Sequence, residues 1–176
     1  SQYDVIVIDG DFARAKIEPN QFSADDLKHV QAFLDQGGTL VLMRQRTDLF
    51  ATPEGRDFLS KNTGPAIGNN STNYQLLKPQ HPWVAHLAER ETLPWLEGKL
   101  VSPLRGEKGD PILGTVAGAS ALSRVPVGKG ELIHIGWSIA RSIPSGRAKT
   151  TVEQEQTFDD QMQVLLKIAE DVVQAK

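Results

Sequence analysis

The segment Val125-Pro-Val-Gly-Lys-Gly-Glu-Leu-Ile-His-Ile-Gly-Trp-Ser138 most constrains what this chain can fold into. Two apolar, β-branched runs flank a Gly-Lys-Gly reversal, the pattern of a hairpin whose tight turn needs residues free to adopt positive φ. The second run continues into Gly136-Trp137-Ser138, and no nucleophile–base pair emerges from it. Pro126 lacks an amide hydrogen, which predicts that its strand, 121–127, lies near a sheet edge.

At the other end of the chain, Val5-Ile-Val-Ile8 shows no polar alternation, the mark of a strand covered on both faces in a parallel sheet. It runs through Asp9-Gly10-Asp11 toward a helix. Ser23 supplies the cap, Asp25 and Asp26 favour the positive end of the helix dipole, and Leu27, Val30, Phe33 and Leu34 recur at helical spacing. Gly37-Gly38 stops the helix, and Thr39–Met43 follows as a second apolar strand. Such a strand–helix–strand unit crosses over with right-handed sense. A strand apolar throughout is expected to be central, with a neighbour on each edge. This places a further strand–helix–strand unit upstream of Ser1, in a longer parent chain.

The rest reads as a short helix over 53–59, a polar loop over 62–73 and a short strand over 74–77. A turn and short helix cover 81–88, 93–100 is irregular, and 105–110 is a charged loop. A strand covers 111–116, the hairpin strands are 121–127 and 131–137, and 140–152 is a basic loop. An amphipathic helix over 158–173 closes the chain, with Met162, Leu165, Leu166, Ala169 and Val172 or Val173 predicted to face inward. The 176 residues form one α/β domain, long enough to bury a core, and 39% hydrophobic with 23% charged residues is ordinary for a soluble globular protein. No apolar run reaches the length that spans a bilayer. A net charge of −3 offers no basic face, so nucleic acid is not an expected partner. The absence of cysteine removes disulfides, thiolate catalysis and cysteine-ligated metals, and leaves the compartment open.

Taken together, Tyr3-Asp-Val-Ile-Val-Ile-Asp9, the helix ending in Gly37-Gly-Thr-Leu-Val-Leu42, His81-Pro82 and Gly128-Lys-Gly-Glu-Leu-Ile-His-Ile-Gly-Trp137 resemble the class I glutamine amidotransferase-like superfamily. The resemblance is nearest to its trehalose-utilisation-type, carbohydrate-associated branch. It implies a three-layer, flavodoxin-like, mostly parallel sheet with an antiparallel hairpin extension, and it begins at the family's third strand. Active members deliver a cysteine after the strand matching Thr39–Met43, and a histidine and glutamate after the hairpin. Here those positions read Met43-Arg44-Gln45 and Gly136-Trp137-Ser138, so the resemblance implies that the thiolate machinery is missing.

In open α/β sheets ligands bind beyond the carboxyl ends of the parallel strands. That rule gathers Asp9 and Asp11 from the first strand, Arg44 and Arg46 from the second, and Trp137 and Ser138 from the hairpin. Arg141 and Arg147 lie in the loop beyond. An aromatic face beside charged donors suits a sugar or an anionic group. The plainer reading, and the favoured one, pairs Asp9 with Arg44 or Arg46 at the strand ends. His81 joins the candidate ligand residues, although shaping the turn at Pro82 is its plainer role. His86 stands close in sequence, but no third ligand offers itself, and no metal is expected. His134 reads as a hydrogen-bonded core histidine. Gly128-Lys-Gly130 lacks the context of a phosphate loop. Ser138 and Ser145 lack a histidine at triad spacing, and Trp83 and Trp95 read as core plugs. No catalytic residue or cofactor is assigned.

Two functions fit. One is a non-catalytic binding or assembly domain of a larger bacterial, carbohydrate-related or envelope protein. Its partners would be other domains of that protein or further copies of itself, with a small polar or carbohydrate ligand as an option. The other is a hydrolase-like enzyme on a small polar or sugar-like substrate, with Asp9 or Asp11 as acid–base group and Arg44 or Arg46 as orienting groups.

Overall fold

The computed structural model describes residues 4–10, 21–44, 49–63, 73–90, 93–94, 109–115, 120–138 and 151–175. Among these, seven strands form a single mixed sheet: β1 (Val5–Asp9), β2 (Thr39–Met43), β3 (Asn73–Leu76), β4 (Leu93–Pro94), β5 (Asp110–Thr115), β6 (Ser120–Val127) and β7 (Gly130–Ile135). Their order across the sheet is β1-β2-β7-β6-β5-β3-β4. Three helices accompany them: α1 (Ala24–Asp35), α2 (Pro53–Asn62) and α3 (Val152–Gln174).

Alternation along β2 sorts the core onto two faces, because successive side chains of a strand point oppositely. Leu40 and Leu42 pack with Leu27, Phe33 and Leu34 of α1, Phe58 and Leu59 of α2, and Leu132 of β7. Val41 and Met43 pack with Ile133 and Ile135 of β7, Val164, Ile168 and Val172 of α3, and Trp83, Val84 and Leu87. All of β2 is buried, as its unbroken apolar run requires.

The local signals act as read at α1. The Ser23 hydroxyl accepts the Asp26 amide and the Asp26 carboxylate accepts the Ser23 amide, a reciprocal capping box. The hydrogen bonds from Ser23 hold the Asp26 carboxyl below its ordinary pKa. Gly37 (φ +103°) ends the helix, a conformation that disfavours side chains. At the hairpin, Gly128 has φ +61°, as a tight turn demands. Gly130 is glycine for a different reason: a Cβ there would overlap the Gly38 carbonyl and lie 2.7 Å from the Leu34 carbonyl oxygen. The hairpin thus sits directly on the end of α1, and the Glu131 amide donates to the Gly38 carbonyl at 3.1 Å.

Several expectations are corrected. The sheet is not mostly parallel: β1–β2 and β2–β7 are parallel, whereas β7–β6, β6–β5, β5–β3 and β3–β4 are antiparallel. Short links such as the one between β6 and β7 permit only antiparallel pairing. β1 stands at the end of the described strand order, on the edge where the expected upstream strand would pair, and Val7 is 59% exposed. β6 lies inside the sheet despite Pro126. Its ladder with β5 ends at Arg124–Asp110, so Pro126 stands in the overhang, where β5 requires no amide from it. The helix read as 53–59 continues to Asn62.

The closing helix starts at Val152 rather than 158, with Thr151 and Gln154 forming its capping box. Its inward stripe is met in part. Val172 is buried and Leu165 packs against the core as read, but Val164 and Ile168 carry the rest of the buried face, while Leu166 is 51% and Val173 72% exposed. Met162, Leu166, Ala169 and Val173 form a second apolar stripe at helical spacing, and periodicity alone does not choose between two such stripes. No helix among the described residues is long and apolar enough to cross a membrane.

Candidate functional site

The carboxyl ends of the three parallel strands meet in register: Asp9 lies beside Met43, and Met43 beside Ile135. The chain leaving β7 does not stop there. Gly136-Trp137-Ser138 crosses the end of β2, and the Ser138 hydroxyl donates to the Asp9 carboxylate, 2.8 Å from each oxygen. Two strand spacings, roughly 9–10 Å, separate β7 from β1, so this contact bridges the whole parallel portion of the sheet. Ser138 and Trp137 are buried, with Ser138 0% exposed, and Asp9 is buried as well. A hydroxyl donating to a buried carboxylate satisfies a charge that would otherwise be costly to enclose. The serine touches a carboxylate of the kind that activates nucleophiles, but it has no exposed surface in this arrangement.

Arg44 lies at the same end. Its amide donates to the Ile135 carbonyl at 2.7 Å, and its φ is +42°. A non-glycine residue in the left-handed region stores strain, and such residues cluster at functional positions. The exit from β2 therefore turns sharply at an arginine.

Asp9, Arg44, Trp137 and Ser138 are thus brought to one corner. His81 is not. It stands on the α3 side of the sheet, its ring 4.8 Å from that of Trp83, among Asp110, Asp171, Arg124 and Lys78. Asp11, Arg46, Arg141 and Arg147 lie outside the described residues, as do Trp95 and Ser145. His134 is fully buried in β7 between Leu42 and Ser123 of the flanking strands. Trp83, 1% exposed, is the core plug expected of it. Among the described residues no three histidine, aspartate or glutamate side chains converge as a metal site would require.

Sequence reasoning missed a second polar centre, beneath α3. Arg124 of β6 pairs through its Nε with Glu131 of β7 and through Nη1 with Asp171 of α3 at 3.2 Å. Its guanidinium carbon lies 5.7 Å from the Trp83 ring centroid, and the Trp83 indole N–H donates to Asp171 at 3.2 Å. The hydrogen bond to Glu131 holds Arg124 still more firmly protonated than usual. Toward the start of α3, Arg90 grips Asp160 through two hydrogen bonds of 2.6 and 3.0 Å. Arg124, the one charged residue of β6, was the available signal for the first pairing. Nothing local announced the second.

The chain matches no family model and no curated protein. Among solved structures it is similar to the cytoplasmic protein STM1381 of Salmonella typhimurium LT2, with TM-score 0.54 and 13% identity over 95% of this chain and 72% of that one. It is similar to the cytoplasmic protein STM3548 of Salmonella typhimurium, with TM-score 0.53 and 13% identity over 92% and 71%. A third likeness is to the exo-β-1,4-mannosidase Op5Man5 of Opitutaceae bacterium strain TAV5, with TM-score 0.50 and 12% identity over 96% of this chain. The chain spans 24% of the mannosidase's length. At these identities the likenesses speak to fold alone.

Proposed function

We propose that this chain is a non-catalytic, amidotransferase-like binding or assembly domain of a larger bacterial, carbohydrate-related or envelope protein, with a three-layer, flavodoxin-like arrangement. The observation that carries this reading is the Asp9–Ser138 contact. The strand-end acid that would serve as general acid or base is buried and holds the serine hydroxyl at 2.8 Å. A corner closed in this way is a structural tie. Helices packed against both faces of the sheet support the layered arrangement. Other domains of that protein, or further copies of this one, are the partners that follow, with a small polar or carbohydrate ligand as an option.

The alternative is an enzyme on a small polar or sugar-like substrate, using Asp9 or Asp11 with Arg44 or Arg46. The strained backbone of Arg44 at the carboxyl end of β2 favours it. The two readings part on Asp9→Asn and Ser138→Ala, assayed by thermal unfolding and by hydrolysis of a panel of nitrophenyl glycosides and esters. A structural tie predicts a lowered Tm with hydrolysis at the same background rate in all three proteins. A general acid or base predicts wild-type turnover that falls about 10²–10⁴-fold in Asp9→Asn, and that result would overturn the non-catalytic reading.

A further inference from the structure

We infer that His81 is an acid-sensitive latch: its neutral Nδ1 fixes the turn that docks Trp83 between α3 and the sheet, and protonation of the ring releases that turn. The Trp83 amide donates to His81 Nδ1 at 3.3 Å. A ring nitrogen accepts only when it carries a lone pair, so this geometry requires the neutral tautomer with its proton on Nε2. The imidazolium has two donors and no acceptor, and it would turn an N–H toward the Trp83 amide. Pro82 contributes no amide of its own. The other bonds of the turn run from the His81 amide to the Lys78 carbonyl and from the Val84 amide to the His81 carbonyl, each 2.9 Å.

The consequence reaches beyond the turn because of what Trp83 holds. Its ring is buried in the α3-side core, carries the Arg124 guanidinium and bonds Asp171 of α3 through its indole N–H. The charged groups facing His81 are Lys78 of its own segment, Asp110 of β5, Arg124 of β6 and Asp171 of α3. Both carboxylates already hold a cation, Lys78 on Asp110 and Arg124 on Asp171. Arg124 is shared with Glu131, and it and Lys78 oppose a further positive charge beside them. Burial accordingly pushes the His81 pKa below its ordinary value, against the upward pull of Asp110 and Asp171. The sign follows: a depressed histidine favours the docked turn fully above about pH 6.5, and that contribution fades as pH falls toward the depressed value.

His81 is followed two residues later by the amide it accepts, the spacing of an Asx turn, in which an asparagine oxygen does the same work without titrating. Amide hydrogen exchange, corrected for intrinsic chemistry, tests the latch between pH 7.5 and 5. In the wild type the Trp83 amide is expected to lose protection, about tenfold for each unit by which the titration is displaced. The Ile133 amide in β7 should keep its protection. His81→Asn should hold Trp83 protection level across the range, and His81→Ala should show the acid level throughout. His86 lies on the same segment and is also depressed by burial, so His86→Gln serves as the matched control and should retain the wild-type pH dependence. The latch is overturned if wild-type Trp83 protection does not change with pH, or if His81→Asn follows the wild-type curve.

Discussion

The carboxyl-end corner and the polar centre beneath α3 both tie separate elements together through side chains, but they are closed to different degrees. In the corner, a carboxylate and a hydroxyl face each other with little or no exposed surface. Beneath α3, Arg124, Asp171, Lys78 and Asp110 keep roughly 36–47% of their side-chain surface exposed. The dielectric differs accordingly, and so does the meaning of a charge. An enclosed pair is a fixed fitting whose loss leaves an unsatisfied group, whereas half-exposed ion pairs are individually weak and adjustable. The comparison teaches that the corner at the strand ends is the more enclosed of the two. The region that sequence reading passed over is the one able to respond to solution conditions.

The sharpest way to break that contrast is Trp83→Ala. If the polar centre depends on an apolar anchor, the loss should resemble other deletions of buried aromatic side chains, about 3–5 kcal/mol. For a chain of this size that corresponds to a fall of roughly 10 °C in Tm by calorimetry. A fall of only a degree or two would mean that the segment around Trp83 contributes little to the α3-side core, and the latch would then gate nothing.

A smaller effect sharpens the comparison from the polar side. Asp171→Asn removes one charge but leaves an oxygen to accept from the Trp83 indole and from Arg124. With Asp171 exposed at 42%, urea denaturation should show a loss of at most about 1 kcal/mol. A loss comparable to that of Trp83→Ala would show that the ion pair, not the ring, holds the helix.

How much of this was legible beforehand depends on whether a signal was local. Ser23, Asp26 and Gly37 bound α1 within a few residues, and the hairpin announces itself by its glycines. The early start of α3 was equally legible, since Thr151 and Gln154 make a capping-box spacing, but the basic composition of 140–152 was read first. The inward face of α3 was legible only in part, because two apolar stripes share that helix and only the sheet selects one. The site divides the same way. Strand ends located Asp9 and Arg44 by topology alone, whereas the Asp9–Ser138 partnership joins residues 129 apart and has no local trace. His81 was legible as a histidine shaping the turn at Pro82, but no short-range pattern records what β5, β6 and α3 bring to it.

Arg44→Gly gives the smallest expected effect and bears on the corner. Glycine accepts φ +42° without strain, which favours the variant, but it also frees the unfolded chain, which disfavours it. These terms are each of order 1 kcal/mol and opposed. If the corner is a structural tie whose burden rests on Asp9 and Ser138, the net change in unfolding free energy should stay within about 1 kcal/mol. The amide of residue 44 still reaches the Ile135 carbonyl in the variant, so the exit from β2 keeps its direction. A loss of several kcal/mol would move the burden onto the guanidinium. The strained backbone would then be the cost of holding that side chain in place, and the corner would have to be read as a site built around Arg44.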